Sequence, residues 1–147
     1  MTPQRLKTLQ EDGDAIVVLD QTRLPSEAVL QRLDSLESVA HAIINMQVRG
    51  APLIGATAAY GVAIGLADDA TDARLAYVIE TLAATRPTAV NLQWALRRMD
   101  AEIRQLEVTR SVGLIQPTRY TGAKQCFANS LLRRCQICHA ECLKGKQ

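Results

Sequence analysis

The chain has few aromatic residues and no strong excess of charge of one sign. Only 3% of its 147 residues are Phe, Trp or Tyr, and the formal net charge is +2. Nucleic-acid-binding surfaces usually carry a larger basic excess, so these numbers do not favour a nucleic-acid partner. A core with so few aromatic rings has to be built from Leu, Ile, Val and Ala, which suits helices that pack closely through small side chains.

Long uninterrupted apolar runs are also missing. The longest, residues 51–66, contains three glycines and a threonine, and it is shorter than the ~20 residues that a membrane-spanning helix needs. The first residues are polar and are not followed by the apolar stretch of a secretory signal. We therefore expect no membrane contact and a cytoplasmic location.

What the chain does contain is an ordinary globular composition, with 48% hydrophobic and 22% charged residues. This length suffices for one domain with a real core, or for a small domain followed by a tail.

The N-terminal part has strand patterns. Residues 6–9 alternate, residues 15–20 form a β-branched run, and residues 28–33 could form a third strand after Pro25. Turn-forming residues at 11–14, with Gly13 free to take a positive φ, predict a hairpin between the first two strands. A small sheet of this kind needs a packing partner.

Four helices are expected after the strands. Ser35 can cap the first, Gly50 with Pro52 in the first turn can start the second, and Thr71 can cap the third. The fourth runs from Thr88 to residue 106. Apolar residues recur at helical spacing in the first helix; they are Leu36, Val39, Ala40, Ile43 and Met46. The second helix is apolar nearly all round and is expected to be buried. The predicted fold class is α+β, a small N-terminal sheet followed by a helical bundle.

Two arginines stand at two of these helix starts. Arg49 precedes Gly50 and Ala51, and Arg86 precedes the fourth helix. A helix N-terminus offers unpaired N–H groups and partial positive charge, and a guanidinium adds a fork of donors that matches phosphate oxygens. Together they predict a phosphate-binding cradle. The alternative is that both arginines are surface residues beside ordinary helix caps.

Three ordered blocks carry a resemblance to a known family. They are residues 19–21 (LDQ), 48–55 (VRGAPLIG) and 85–92 (TRPTAVNL). Over roughly residues 15–106 the chain resembles the methylthioribose-1-phosphate isomerases. The same superfamily includes regulatory subunits of a translation initiation exchange factor and ribose-1,5-bisphosphate isomerases.

The resemblance implies an aldose–ketose isomerisation of 5-methylthioribose 1-phosphate to 5-methylthioribulose 1-phosphate in methionine salvage, without a metal or organic cofactor. It also implies that Arg49, Gly50, Ala51 and Arg86 bind the sugar-phosphate substrate. In the family, a small N-terminal domain precedes a larger Rossmann-like domain, and full-length relatives dimerise. We therefore expect homo-oligomers, or aggregation through surface that the second domain would cover.

The family's catalytic cysteine and aspartate belong to the C-terminal part. The cysteine lies in a Cys-Asn-x-Gly context that does not occur here, and Cys126 is followed by Phe127. We therefore expect no catalytic residue and no Rossmann-like domain in this chain, and no isomerase activity of the chain alone. The alternative function is a non-catalytic module that binds a sugar phosphate or a nucleotide, as in the initiation-factor branch.

Residues 1–107 are interpreted as the family's N-terminal domain and residues 108–147 as an unmatched tail rich in Cys and Arg. A change of reading frame or a divergent C-terminus would each account for the tail. Its cysteines and one histidine could bind zinc or, by the Cys-x-x-Cys-His spacing, haem; they are Cys126, Cys135, Cys138, His139 and Cys142. The ligands lie too close together for a folded zinc site, and haem attachment belongs outside the cytoplasm. Free thiols and no metal are the interpretation that we adopt.

Overall fold

The fold is a three-stranded antiparallel sheet followed by four helices. The structure, a computed structural model, describes residues 7–69 and 71–111. The strands are β1 (Leu9–Asp12), β2 (Ala15–Leu19) and β3 (Leu30–Leu33). The helices are α1 (Leu36–Ile44), α2 (Ala51–Gly65), α3 (Asp72–Thr85) and α4 (Val90–Ser111). The predicted α+β class, a small sheet before a helical bundle, is confirmed.

The sheet has the order β1-β2-β3, with β2 in the centre and both pairings antiparallel. The prediction that the first strand covers residues 6–9 was wrong, because β1 runs up to Asp12 and only Gly13 and Asp14 connect it to β2. Gly13 has a φ of 61°, as expected for so tight a turn. The acidic residues of this edge strand are exposed to solvent, and the Asp12 carboxylate accepts a hydrogen bond from Arg32 Nε of β3 at 2.9 Å.

Helix α1 begins with the predicted cap and ends earlier than predicted. The Ser35 and Ser38 side chains each accept a hydrogen bond from the other's backbone N–H, which closes a capping box. The helix ends at Ile44, so the placement of Met46 on its buried stripe was wrong. Met46 has a φ of 59°, and its N–H donates to Ile43 O at 3.3 Å while Gln47 N–H donates to Ala42 O at 3.0 Å. This is a Schellman ending, in which the chain leaves the helix through one left-handed residue.

Helix α2 lies at the centre of the bundle and contacts α1, α3 and α4. Nearly all of it is buried or half-buried, as predicted from its composition. At Gly55 the packing against α4 is tight, since a Cβ there would lie 3.3 Å from Asn91 O. This close packing sets the N-terminal end of α2 beside the N-terminal end of α4. Among the described residues, no helix is both long and apolar enough to cross a membrane.

A hydrogen bond joins the sheet to the bundle. The buried Tyr60 of α2 donates its hydroxyl to a carboxylate oxygen of Glu11 on β1. We expect Tyr60→Phe to lower the free energy of unfolding by about 1 kcal/mol, because Glu11 is exposed and part of the bond is replaced by water. Urea unfolding of the two proteins at neutral pH measures the difference.

The same contact predicts a pH dependence. Burial and the hydrogen bond to Glu11 raise the pKa of Tyr60 above its ordinary value of 10.0. The folded state therefore holds this proton more tightly than the unfolded state, so the contribution is fully present below pH 10 and is lost as the pH rises above it. The stability difference between wild type and Tyr60→Phe should shrink from pH 10 upward. A difference that stays constant from pH 8 to 11 would contradict this.

Candidate phosphate-binding site

The structure brings all of the predicted binding residues to one place. Arg49, Gly50, Ala51 and Arg86 line a single open cleft with a volume of about 340 Å³. Arg86 lies 37 residues after Arg49 in the chain, and it is the C-cap residue of α3. The assignment of these residues to substrate binding stays a prediction, but they share the geometry that a common ligand requires.

The first wall of the cleft is the N-terminal end of α2. Gly50 is the N-cap residue, with a φ of 89° that an L side chain rarely adopts, and it provides no side-chain cap. A Cβ at this position would meet no atom within 4 Å, so the backbone is open to an approaching ligand. The first turn of α2 contains no acidic residue. Its orphan N–H groups and the positive end of its dipole therefore favour an anion in the cleft.

The second wall is the junction between α3 and α4. Ala89, Val90 and Asn91 line the cleft, and Ala89 N–H donates to Arg86 O at 3.0 Å in the tight turn that separates the helices. Gln93 Nε2 donates to Ala83 O at 3.0 Å, which ties the first turn of α4 to the last turn of α3. Like α2, α4 has no acidic residue in its first turn. Two helix N-termini thus face the same cleft.

The electrostatics of the cleft favour a negatively charged ligand. None of the described residues that line the cleft is acidic, and neither the Arg49 nor the Arg86 guanidinium forms an ion pair with a side chain in this part of the chain. Other arginines do form such pairs, and Arg32, Arg98 and Arg104 each bind a carboxylate. The two cleft guanidinium groups therefore keep their donors available for phosphate oxygens.

A buried carboxylate holds the loop that leads into the cleft. Asp20, 6% exposed, accepts hydrogen bonds from the Thr22 hydroxyl at 2.6 Å and from Gln47 Nε2 at 3.2 Å. Gln21 N–H donates to Gln47 O at 2.9 Å, so both the side chain and the backbone of Gln47 are anchored. The hydrogen bond from the Thr22 hydroxyl lowers the pKa of Asp20, and this effect outweighs burial, which raises the pKa. The carboxylate therefore stays charged. The loop that carries Arg49 is thereby fixed at its start.

Sequence reasoning missed part of the lining. Met46, Ile54, Val90 and Asn91 also face the cleft. Val90 and Asn91 lie inside the block 85–92 that carried the family resemblance, so the signal for them was present. Met46 gave no such signal, because its spacing fitted the buried stripe of α1. The cysteines of the predicted tail, and with them the zinc and free-thiol interpretations, lie outside the described residues.

Comparison with known proteins identifies the family. The model of the initiation factor 2 subunit family matches residues 47–143, which is more than half of the chain. The chain belongs to the initiation factor 2 subunit family. The match continues past the proposed boundary at residue 107, and the division of the chain there stays a prediction.

Similar members of the initiation factor 2 subunit family include an isomerase and an initiation-factor subunit. The chain is 59% identical over 98 residues to a methylthioribose-1-phosphate isomerase of Rhodospirillum rubrum, which covers 67% of this chain and 25% of that protein. The crystal structure of the 5-methylthioribose 1-phosphate isomerase from Pyrococcus horikoshii aligns with 91% of this chain at 28% identity and a TM-score of 0.62. The delta subunit of translation initiation factor eIF-2B from A. fulgidus aligns with 88% at 26% identity and a TM-score of 0.67.

The chain spans only part of these relatives. It covers 36% of each of the two solved structures and 25% of the Rhodospirillum isomerase. The resemblance to the isomerase branch of the initiation factor 2 subunit family is thereby confirmed for the N-terminal region. The activity of the whole relatives is not carried over with it.

Proposed function

We propose that this chain is the substrate-binding part of a methylthioribose-1-phosphate isomerase, and that its cleft binds the phosphate group of a sugar phosphate. The main support for this proposal is that Arg49, Arg86 and the open N-terminus of α2 line the same cleft. The relatives named as methylthioribose-1-phosphate isomerases support the identity of the sugar phosphate.

In this proposal the described residues bind and orient but do not catalyse. An aldose–ketose isomerisation needs a group that moves a proton or hydride between neighbouring carbons. Arginine stays protonated in proteins and cannot readily do this work, and among the residues that the structure describes no other titratable side chain lines the cleft. We therefore expect the purified chain to bind the sugar phosphate without converting it to the ketose, and detectable turnover would contradict this.

Calorimetric titration of the full chain tests the binding proposal. We expect 5-methylthioribose 1-phosphate to bind and 5-methylthioribose, which lacks the phosphate, to bind at least about tenfold more weakly, since a phosphate accepts charge-assisted hydrogen bonds. Raising the salt concentration from 50 to 500 mM should weaken the phosphate ester only, because exposed charges are screened. Equal affinity for the two ligands, or no binding of either, would overturn the proposal.

The second candidate is a nucleotide-binding regulatory module, and the likeness to the initiation-factor delta subunit favours it. Adding adenosine 5′-monophosphate to the same titration separates the two candidates. Tighter binding of the nucleotide than of 5-methylthioribose 1-phosphate would favour the regulatory function. The reverse order would favour the isomerase function.

A further inference from the structure

Two large apolar side chains line the cleft, and neither can donate a hydrogen bond to a phosphate. Met46 is 41% exposed and Val90 is 75% exposed, and both face the same cleft as Arg49 and Arg86. Single exposed apolar residues are common on protein surfaces. Met46 lies on the connection between α1 and α2, Val90 is the first residue of α4, and both line one cavity.

The cleft is also larger than an anion requires. Its volume of about 340 Å³ lies within the ~300–1,000 Å³ that is typical of sites for whole small molecules. Beside Met46 and Val90, the lining includes Ala51, Ile54 and Ala89. An anion held by the two arginines would leave this apolar part of the cleft free for the rest of the ligand.

The backbone at Met46 is an independent indication. Met46 occupies the left-handed position of the Schellman ending of α1, with a φ of 59°. Glycine is the usual residue there, because an L side chain raises the energy of this conformation. A strained residue at a ligand cleft suggests a role for its side chain.

We propose that Met46 and Val90 form an apolar wall that selects sugar phosphates with an apolar substituent on the sugar. The proposal rests on the proposed function, since it assumes that Arg49 and Arg86 bind the phosphate. The wall then contacts an apolar part of the ligand rather than the phosphate. In 5-methylthioribose 1-phosphate the apolar part is the methylthio group at C5.

A matched pair of ligands tests the wall. Ribose 1-phosphate differs from 5-methylthioribose 1-phosphate only in carrying a hydroxyl at C5 in place of the methylthio group. We expect the full-length chain to bind the methylthio compound about fivefold to tenfold more tightly than ribose 1-phosphate. The difference is modest because the wall is partly open to solvent, so that only one or two carbon-sized groups are buried. The ratio of the two dissociation constants is the quantity to measure.

Met46→Gly removes half of the wall without endangering the fold, because glycine suits the left-handed backbone at this position. We expect the ratio to fall to about twofold or less, while the melting temperature stays the same or rises. Val90→Thr replaces a methyl group by a hydroxyl of similar size at an exposed position and should lower the ratio in the same direction. Ile44→Ala is the control, because Ile44 is 56% exposed at the end of α1 and does not line the cleft; its ratio should equal that of wild type.

The outcomes separate this inference from the proposed function. If the wild-type chain binds neither sugar phosphate, the proposed function itself fails. If it binds both equally, or if Met46→Gly and Val90→Thr both keep the wild-type ratio, the apolar wall is refuted and the phosphate site stands. Equal losses of affinity for both ligands in Met46→Gly would also refute the wall, because they would indicate a role in shaping the loop.

Discussion

Replacing Arg49 and Arg86 together by alanine should weaken binding of 5-methylthioribose 1-phosphate by about hundredfold or more. A hydrogen bond to a charged group contributes ~1.5–3 kcal/mol, and each tenfold change in affinity corresponds to ~1.4 kcal/mol. Each single variant should therefore lose about tenfold. The α2 N-terminus remains in the double variant, but without the arginines its dipole alone holds the anion.

Two controls make this result specific. Arg97→Ala removes an exposed arginine of α4 that does not line the cleft, and it should bind like wild type. Arg49→Lys and Arg86→Lys keep the charge but lose the planar fork, so their affinities should fall between those of wild type and the alanine variants. All variants should melt close to wild type, because neither cleft guanidinium forms an ion pair with a described residue. Full affinity in the double alanine variant would show that the ligand binds elsewhere.

The second large effect is expected at Gly61, in the middle of α2. A Cβ at this position would lie 2.7 Å from Val39 Cγ1 of α1 and 3.1 Å from Leu82 Cδ1 of α3. Val39 is β-branched and fully buried, so it has little freedom to move aside. Gly61→Val should lower the free energy of unfolding by about 3 kcal/mol, the upper part of the range for overpacked cores.

Urea unfolding of Gly61→Val measures this effect. Ala76→Val is the matched control, because it introduces the same side chain at an exposed position of α3 and should cost only about 0.5 kcal/mol of helix propensity. If the two variants unfold at the same urea concentration, α1, α2 and α3 do not pack as closely as described. A Gly61→Val variant that does not fold at all agrees with the prediction, provided that Ala76→Val folds normally.

Much of the fold could be predicted because its signals are local. The Ser35 and Thr71 caps bond to N–H groups three residues ahead, and Gly13 turns the hairpin within two residues. The position of β1 could not be predicted in this way. Its acidic residues, Glu11 and Asp12, are typical of a turn in sequence. Their hydrogen-bond partners, Tyr60 and Arg32, come from later elements, so the local sequence does not indicate these contacts.

The candidate site divides in a similar manner. Arg49, Gly50, Ala51 and Arg86 could be named from the residues at two helix starts and from the family's motifs. Nothing in these short stretches required the two starts to face each other. They do so because α2 and α4 pack closely at Gly55, where an added Cβ would lie only 3.3 Å from Asn91 O of α4.

Local patterns in the chain, together with the family's motifs, were therefore enough for the fold class, the order of the elements and the arginines of the candidate phosphate site. Packing between residues that are distant in sequence was needed to bring these arginines to one cleft. It also places Met46 in the lining of the cleft, whereas the sequence pattern placed it on the buried stripe of α1. The physical reason is the separation in sequence over which each kind of interaction acts. Caps and turns act over about four residues, whereas a cleft is formed by elements that meet only when the core closes.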